Sequence, residues 1–361
     1  MKEKYLREGV TTGSCATAAA MASAIWQMEG NCPVSMEVDT PIGKKLLLSV
    51  VPVSFGVCGV VKDAGDDPDV TDGCTVVAHV KMEDFKGPVA FCAGEGVGTV
   101  RNEGLKVPVG DPAINPIPRQ MIEQHLRKVI GERAAQVTIS IPGGEKLAKR
   151  TFNGRVGVEG GLSVLGTKGI VRPMSEEAVK DSLVLELNVR IAGGVKDVAF
   201  VLGHTGEERV HELYGDHICC VQISNYIGFM LDEAQSRGFD RILIAGFAGK
   251  LVKVAADIMN THSHMADGRR EVLCTYAALE GVRTSVIKEI YESKTVQGAI
   301  DVMEREDLLY LWDIIADEIE KKCRMRVLDS MDIGVVLFGK DNAILGESSS
   351  ADSIIEHMRK E

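Results

Sequence analysis

The sequence predicts a chain in two parts: an α+β half over residues 1–174, then an α/β half over residues 175–361 with a mainly parallel sheet. Three observations predict it. After Ser175, helical and apolar segments alternate at the spacing of βαβ crossovers, which puts helices on both faces of a sheet. From Val34 to about Val80 the texture is instead that of strands separated by Gly- and Asp-containing turns. Finally, the apolar run Arg241-Ile242-Leu243-Ile244-Ala245 leads directly into Gly246-Phe247-Ala248-Gly249-Lys250. Glycines at a strand-to-helix turn let backbone N–H groups approach a ligand, and ligands of open α/β sheets sit at the carboxyl ends of the strands. The second half therefore reads as Rossmann-like.

At 361 residues the chain has room for two domains of roughly 150 residues each. Its first residues, Met1 to Glu8, contain no apolar core of the kind a secretory signal needs. The longest uncharged run, between Lys45 and Lys62, is interrupted by Pro52 and Gly56 and is shorter than the ~20 residues of a membrane-spanning helix. Nine cysteines without a C-x-x-C pair point to reduced, mostly buried thiols in a cytoplasmic protein. Cys15 fits as a small packing residue, or, near a helix start, as a thiol of lowered pKa. A formal charge of −11 excludes a general nucleic-acid binder, and it requires that an anionic ligand be met by local positive charge.

In chain order, Thr11 or Thr12 caps a small-residue helix running from Cys15 to Trp26, leaving first-turn N–H groups for an anion. Val34–Val38 and Lys45–Val51 flank Pro41-Ile42-Gly43 as a hairpin. The loop Asp63–Asp72 holds five aspartates, but Pro68 and Cys74 stand where a calcium-binding EF-hand needs glycine and glutamate, so no metal is expected. Prolines 112, 116 and 118 fix an extended entry that holds Asn115 and Arg119 before a helix ending near Ile130. Gln136–Ile141 is a strand, Glu145–Lys149 is amphipathic, and Gly160–Gly166 is a buried strand or turn between the domains.

The second half then reads as a helix over Glu176–Ile191, a strand over Asp197–Leu202, a turn at Gly203-His204-Thr205-Gly206 and a helix over Glu207–Tyr214. Strand Ile218–Ile223, helix Tyr226–Ser236, strand Arg241–Ala245 and helix Lys250–Met259 follow, then helices over Gly268–Leu279 and Thr295–Lys322 and a strand over Ile333–Phe338. Neither glycine turn is a P-loop or a G-x-G-x-x-G fingerprint, and no acidic residue ends the second strand to hold a ribose, so these motifs leave an adenosine site unassigned.

Several blocks, in order along almost the whole chain, resemble the CbiD family. They are Thr11-Thr12-Gly13-Ser14-Cys15-Ala16, Lys62–Asp69, Pro112-Ala113-Ile114-Asn115-Pro116, Gly166–Pro173, Ser224–Phe229 and Asn260-Thr261-His262-Ser263 with Ala266-Asp267. The resemblance implies a cobalt-precorrin-5B C-1 methyltransferase of anaerobic cobalamin synthesis. It would use S-adenosylmethionine as methyl donor, yield cobalt-precorrin-6A, and meet cobalt only as part of its tetrapyrrole substrate. Neighbouring pathway enzymes and a second copy of the chain are the partners it suggests; a membrane is not among them.

On those blocks the expected catalytic residues are Asp63, Asp66, His204 and His262. The expected binding residues are Thr11, Thr12, Gly13, Ser14, Asn115, Arg119, Thr167, Arg172, Gly203, Gly206, Asn225, Gly246, Gly249, Lys250, Asn260 and Thr261. In-line methyl transfer draws mainly on positioning, and the acetate and propionate groups of a corrin precursor call for cations, among which Lys168, Lys253 and Arg269 also lie in or beside these blocks. Two positions depart from the pattern attributed to the family: Phe247 stands where histidine is usual, and Leu202 precedes Gly203 where proline is usual. The Phe247 departure keeps a second reading open, a non-catalytic tetrapyrrole- or nucleotide-binding protein. A nucleotide-dependent kinase is disfavoured by the missing P-loop.

Overall fold

The computed structural model describes residues 6–340 and 343–360. The chain divides into two compact units, Met1–Ser182 and Leu183–Glu361. In the first, β1 (Gly9–Val10) and α1 (Thr12–Glu29) precede β2 (Ser35–Asp39), β3 (Lys45–Ser49), β4 (Val51–Ser54), β5 (Val57–Val61), β6 (Thr75–Lys86), β7 (Val89–Ala93) and β8 (Thr99–Val100). Next come α2 (Pro116–Ile130), β9 (Arg133–Ser140), α3 (Gly144–Ala148), β10 (Val158–Glu159) and β11 (Ile170–Val171). One sheet has the order β4-β5-β6-β9-β7 and is antiparallel except where β7 pairs with β9, while β2 and β3 form the hairpin expected around Pro41-Ile42-Gly43.

Every residue of α1 from Thr12 to Ala24 is buried, so this helix needs side chains small enough on all sides for β5, β6 and α2 to close on it. Alanine meets that demand at no cost in helix propensity. Polar groups within the packing are paired: Ser23 Oγ donates to Gly56 O (2.6 Å) and accepts from Val80 N (2.9 Å), and Gln27 Nε2 donates to Val80 O (2.7 Å). Cys15 lies in the same core, where burial pushes its thiol up to about 12, so it packs and is not activated.

The amino end of α1 departs from the sequence expectation. Thr11 caps it by accepting from Ser14 N (3.2 Å), but the first turn is closed over by the segment Leu165–Gly169. Gly13 N donates to Leu165 O (3.1 Å), Thr12 Oγ1 accepts from Leu165 N (2.9 Å), and Ser14 Oγ donates to Gly169 O (2.6 Å). Thr11, Thr12, Gly13 and Ser14 therefore clamp a second chain segment, and the expected open anion site is absent. The fit is tight: a Cβ at Gly166, whose φ is +138°, would stand 2.4 Å from Thr11 Oγ1. Gly160–Gly166 is likewise neither a full strand nor an interdomain turn, since Leu162 and Val164 make isolated bridges to Val97 and Ile114 of the same unit.

The division falls inside α4 (Glu176–Ala192), later than the boundary expected after residue 174, and the second unit continues through β12 (Asp197–Val201), α5 (His204–Tyr214), β13 (Cys220–Gln222), α6 (Ile227–Arg237), β14 (Arg241–Phe247) and α7 (Ala248–Leu251). It is completed by α8 (Arg269–Leu279), α9 (Thr284–Glu292), α10 (Val296–Arg305), α11 (Leu311–Arg326), β15 (Asp332–Phe338), β16 (Ile344–Glu347) and α12 (Ala351–Met358). Its sheet has the order β13-β12-β14-β15-β16, parallel apart from β16. Alternate strand residues feed two cores. Val198, Phe200, Ile242 and Ile244 pack with α6, α8 and α11, whereas Ala199, Val201, Leu243 and Ala245 pack with α5 and α12. This is the mainly parallel α/β arrangement expected from the alternation after Ser175.

Several boundaries differ from the periodicity. The turn expected at Gly203–Gly206 is the cap and first turn of α5, whose N-cap is Gly203. The helix expected over Lys250–Met259 is only α7 followed by a 3-10 turn over Val252–Ala256, and it stops where Asp257 takes φ +63°. The long helix expected over Thr295–Lys322 is two, broken at Asp307 (φ +56°). Strands β7 and β16 and helices α9 and α12 went unread, being short or exposed on one side. Among the described residues no helix is long and apolar enough to cross a membrane.

The clamp on α1 yields a stability prediction. Thr12→Ala removes the hydrogen bond to the half-exposed Leu165 N, which costs about 0.5–1.5 kcal/mol. Thermal melting should show the loss, while ligand affinity of the folded variant stays at the wild-type value.

Candidate ligand cavity at the sheet switch point

From β12 the chain crosses through α5 to β13 on one face, and from β14 it crosses through α7, α8 and α11 to β15 on the other. The two connections therefore diverge at the carboxyl ends of β12 and β14, the place where open α/β sheets form a ligand crevice. A cavity of about 230 Å³ lies there. It is lined by Leu202, Gly203, His204, Thr205 and Gly206 after β12 and by Phe247, Gly249 and Lys250 after β14.

Each wall follows from local chemistry. Gly203 has φ +114°, a conformation that an L side chain rarely adopts, and a Cβ there would meet no atom within 4 Å. Backbone geometry, not crowding, is what requires glycine at this α5 cap. Gly249 is the reverse case: its φ is ordinary, and a Cβ would meet nothing nearer than Val296 Cβ at 3.9 Å, so there is open space beside it. Gly246 was expected to face a ligand, but it is a buried residue of β14 and not part of the lining. A Cβ on it would press on Leu202 Cδ1 at 3.0 Å and Leu251 Cδ1 at 3.3 Å. Phe247 stacks edge-on against Phe338 with ring centroids 6.0 Å apart, a contact that only tertiary pairing of β14 with β15 creates.

Beside the cavity the fold joins three residues from separate sequence blocks. Asn225 Oδ1 accepts from Lys250 Nζ (3.1 Å) and from Thr261 Oγ1 (3.3 Å), and Thr261 N donates to Asn225 O (3.0 Å). Thr261 belongs to a loop that Lys253 holds in place: the buried Lys253 Nζ donates to Thr261 O (3.1 Å) and Ala266 O (2.9 Å). Burial, reinforced by Arg269 and Lys250, holds the Lys253 ammonium below the usual lysine range. Arg269 grips Asp267 with two hydrogen bonds, which lowers that carboxyl to about 2.

His204 lines the cavity, is exposed, and has Nε2 3.3 Å from Glu208 Oε1. His262 is an exposed residue of the Lys253-held loop; its Nδ1 accepts from His264 N (3.3 Å), and its own N–H donates to Asn260 Oδ1 (3.1 Å). Thr205 was overlooked in the sequence. The signal for it was the Gly203-x-x-Gly206 spacing, which fixes a helix start with Thr205 on its first turn.

In the first unit the expected site residues are largely engaged with other residues of that unit. Arg7 donates from both Nη atoms to Asp63 (2.5 and 2.8 Å), and this pairing lowers the Asp63 carboxyl to about 2. Asp66 accepts from Arg7 N (2.7 Å), Asp67 from Met174 N (2.9 Å), and Asp69 from the buried Lys62 Nζ (2.7 Å). A carboxylate of such low basicity as Asp63 is a poor proton acceptor, and Asp63, Asp66, Asp67 and Asp69 each accept a hydrogen bond from within the first unit. Arg119 is also committed: Nε donates to Ile114 O (2.7 Å), Nη2 to Pro112 O (3.0 Å), and Nη1 lies 3.1 Å from Asp111. Asn115 N donates to Val164 O (2.9 Å) at the start of α2. Thr167 is exposed, Lys168 pairs with Glu177, and Arg172 is 60% exposed with only a 3.5 Å approach to Glu8.

Two predictions follow from these contacts. Asp63 has a folded pKa depressed below the unfolded value of about 3.9, so its stabilisation is present above pH ~4 and is lost as pH falls towards 2. Arg7→Ala should move the Asp63 carboxyl resonance titration up towards 3.9 and flatten that acid limb. In the second unit, Lys253→Met should preserve the circular dichroism spectrum yet speed hydrogen exchange at the Thr261 amide by roughly tenfold, as local opening becomes easier.

Comparison with known proteins matches residues 1–173 to the CbiD family model and residues 260–349 to the CbiD C-terminal domain. The chain is 43% identical to the cobalt-precorrin-5B C(1)-methyltransferase of Alkaliphilus metalliredigens, over 99% of this chain and 96% of that protein. It is 42% identical to the protein of the same name from a Thermoanaerobacter species, over 96% of each. A crystal structure of a cobalamin biosynthesis protein (cbiD) from Archaeoglobus fulgidus is 26% identical, with TM-score 0.39, covering 77% of this chain and 86% of that one. Since the likeness to the first relative runs through both units and reaches nearly every residue, the chain belongs to the CbiD family.

Proposed function

We propose that this chain methylates C-1 of cobalt-precorrin-5B, with S-adenosylmethionine as donor, in cobalamin biosynthesis. The names of relatives matching over almost the entire chain support the reaction, and the single structural observation that carries it is the glycine-walled cavity between β12 and β14. Its fit to the donor rests on that wall: Gly203 provides a turn open to a ligand, and Gly249 leaves room where a side chain would intrude. At about 230 Å³ the cavity lies below the ~300–1,000 Å³ of whole-ligand sites, so it would enclose one end of the donor and leave the methyl group facing the substrate.

The donor, when bound, supplies an electrophilic methyl group on a positively charged sulfur. The chain's own residues supply position. Gly203, Thr205 and Gly206 would present the first turn of α5, Phe247 would keep one wall dry, and Asn225 with Thr261 would hold Lys250 at the mouth. Alignment of the reacting atoms is where most of the acceleration of such a displacement arises. His204, on the lining and open to solvent, is the group we assign to receive a proton released on product formation. The tetrapyrrole's carboxylates would be met by the cations of this unit, Lys250 first among them.

Incubation with isotopically labelled S-adenosylmethionine and cobalt-precorrin-5B should add one labelled methyl group to the substrate by mass. Binding of the tetrapyrrole without methyl gain would favour a non-catalytic carrier instead. Gly249→Val should fold normally by circular dichroism and lose roughly 100-fold in turnover, since a displacement near 1 Å at the reacting centre is enough for that. Wild-type turnover in that variant would sink the cavity assignment.

A further inference from the structure

A second, smaller cavity of about 100 Å³ opens in the same unit between α8 and the turn that joins α9 to α10. Its lining is cationic in a chain of net charge −11: Arg269, Arg270 and Lys294 stand against a single acid, Asp267. Arg269 and Asp267 cancel through their two hydrogen bonds. That leaves Arg270 and Lys294, neither of which has a carboxylate partner among the described residues; Arg270 lies over the Tyr291 ring at 6.0 Å. Two cations without a carboxylate partner at one cavity favour a bound anion there.

The position of the cavity narrows the choice of anion. Val296 lines it, and the same Val296 is the first atom group that a side chain at Gly249 would meet, at 3.9 Å, while Gly249 walls the switch-point cavity. The two cavities thus share a partition. At about 100 Å³ the smaller one has room for a carboxylate on a short methylene arm.

We propose that this cavity is a carboxylate subsite that receives one acetate or propionate arm of the tetrapyrrole, with Arg270 offering a planar fork and Lys294 a point charge. The identity of the arm's owner rests on the proposed methyl transfer; the carboxylate chemistry of the subsite does not.

The test separates the two. Sodium propionate titrated into the labelled full-length chain should shift the amide resonances of residues 293–298 saturably, and Arg270→Gln/Lys294→Gln should abolish those shifts; both side chains are exposed, so the variant keeps its fold. A cobalt corrin with free acid arms should bind the wild type roughly tenfold more tightly than the double variant, with a weaker salt dependence in the variant, while the same ring as its methyl ester binds both equally. Absence of propionate shifts, together with unchanged affinity for the acid corrin in the double variant, overturns the subsite. Propionate shifts with no binding of either corrin retain the subsite and overturn the tetrapyrrole as its ligand.

Discussion

Strands β12 and β14 are paired in parallel and buried on both sides, and the second unit is arranged by that constraint. Each must present apolar side chains to two layers of helices, so its residues alternate between a larger core with α6, α8 and α11 and a smaller one with α5 and α12. A parallel strand must also be reached by a crossover, and crossovers share one hand. The crossover leaving β12 runs to β13 and the one leaving β14 runs the other way to β15, so the two have to lie on opposite faces. Their separation at the strand ends leaves a gap that no side chain of the sheet fills. The cavity is thus a consequence of strand order, and the glycines that wall it prevent its closure.

Electrostatics around that gap runs against the charge of the whole chain. A net −11 would oppose an anionic substrate at long range, yet Lys250, Lys253, Arg269, Arg270 and Lys294 gather on a few elements near β14. Their environments differ, and so do their uses. Lys253 is buried and satisfied by carbonyl oxygens, which makes it an anchor for the Asn260–Asp267 loop. Lys250 is exposed and steered by Asn225, which keeps its charge where solvent and ligand can reach it. Arg269 is neutralised by Asp267. Residue type alone assigns one role to all of these cations; burial and partners give them three.

The first unit shows how motif blocks that look like ligand sites become structural. Thr11-Thr12-Gly13-Ser14 has the composition of an anion-binding helix end, but Leu165 and Gly169 occupy its hydrogen-bonding groups and leave no approach for solvent. The aspartate loop has the composition of a metal or acid-base site, while Arg7, Lys62 and backbone N–H groups take up its carboxylates. Both are held in part by partners distant in sequence, among them Arg7 to Asp63 and Ser14 to Gly169.

The amino-acid sequence by itself determined the local order. The strand-helix alternation after Ser175, the hairpin around Pro41-Ile42-Gly43, the alanine-rich α1 and the glycine turns at 203 and 249 follow from periodicity, propensity and the missing Cβ of glycine, all of which act over a few residues. The resemblance in its blocks likewise identified the family. Only the tertiary structure decided which of those blocks faces a cavity. Strand order in the second unit brought Gly203 and Gly249 to one wall, Val296 behind Gly249, and Asn225, Lys250 and Thr261 into one hydrogen-bonded group, and turned Gly246 inwards, while in the first unit hydrogen bonds from Leu165 closed over α1. The physical reason is that a side chain's availability depends on whether a distant segment satisfies it first, and a hydrogen bond between residues far apart in sequence leaves no periodic trace in either.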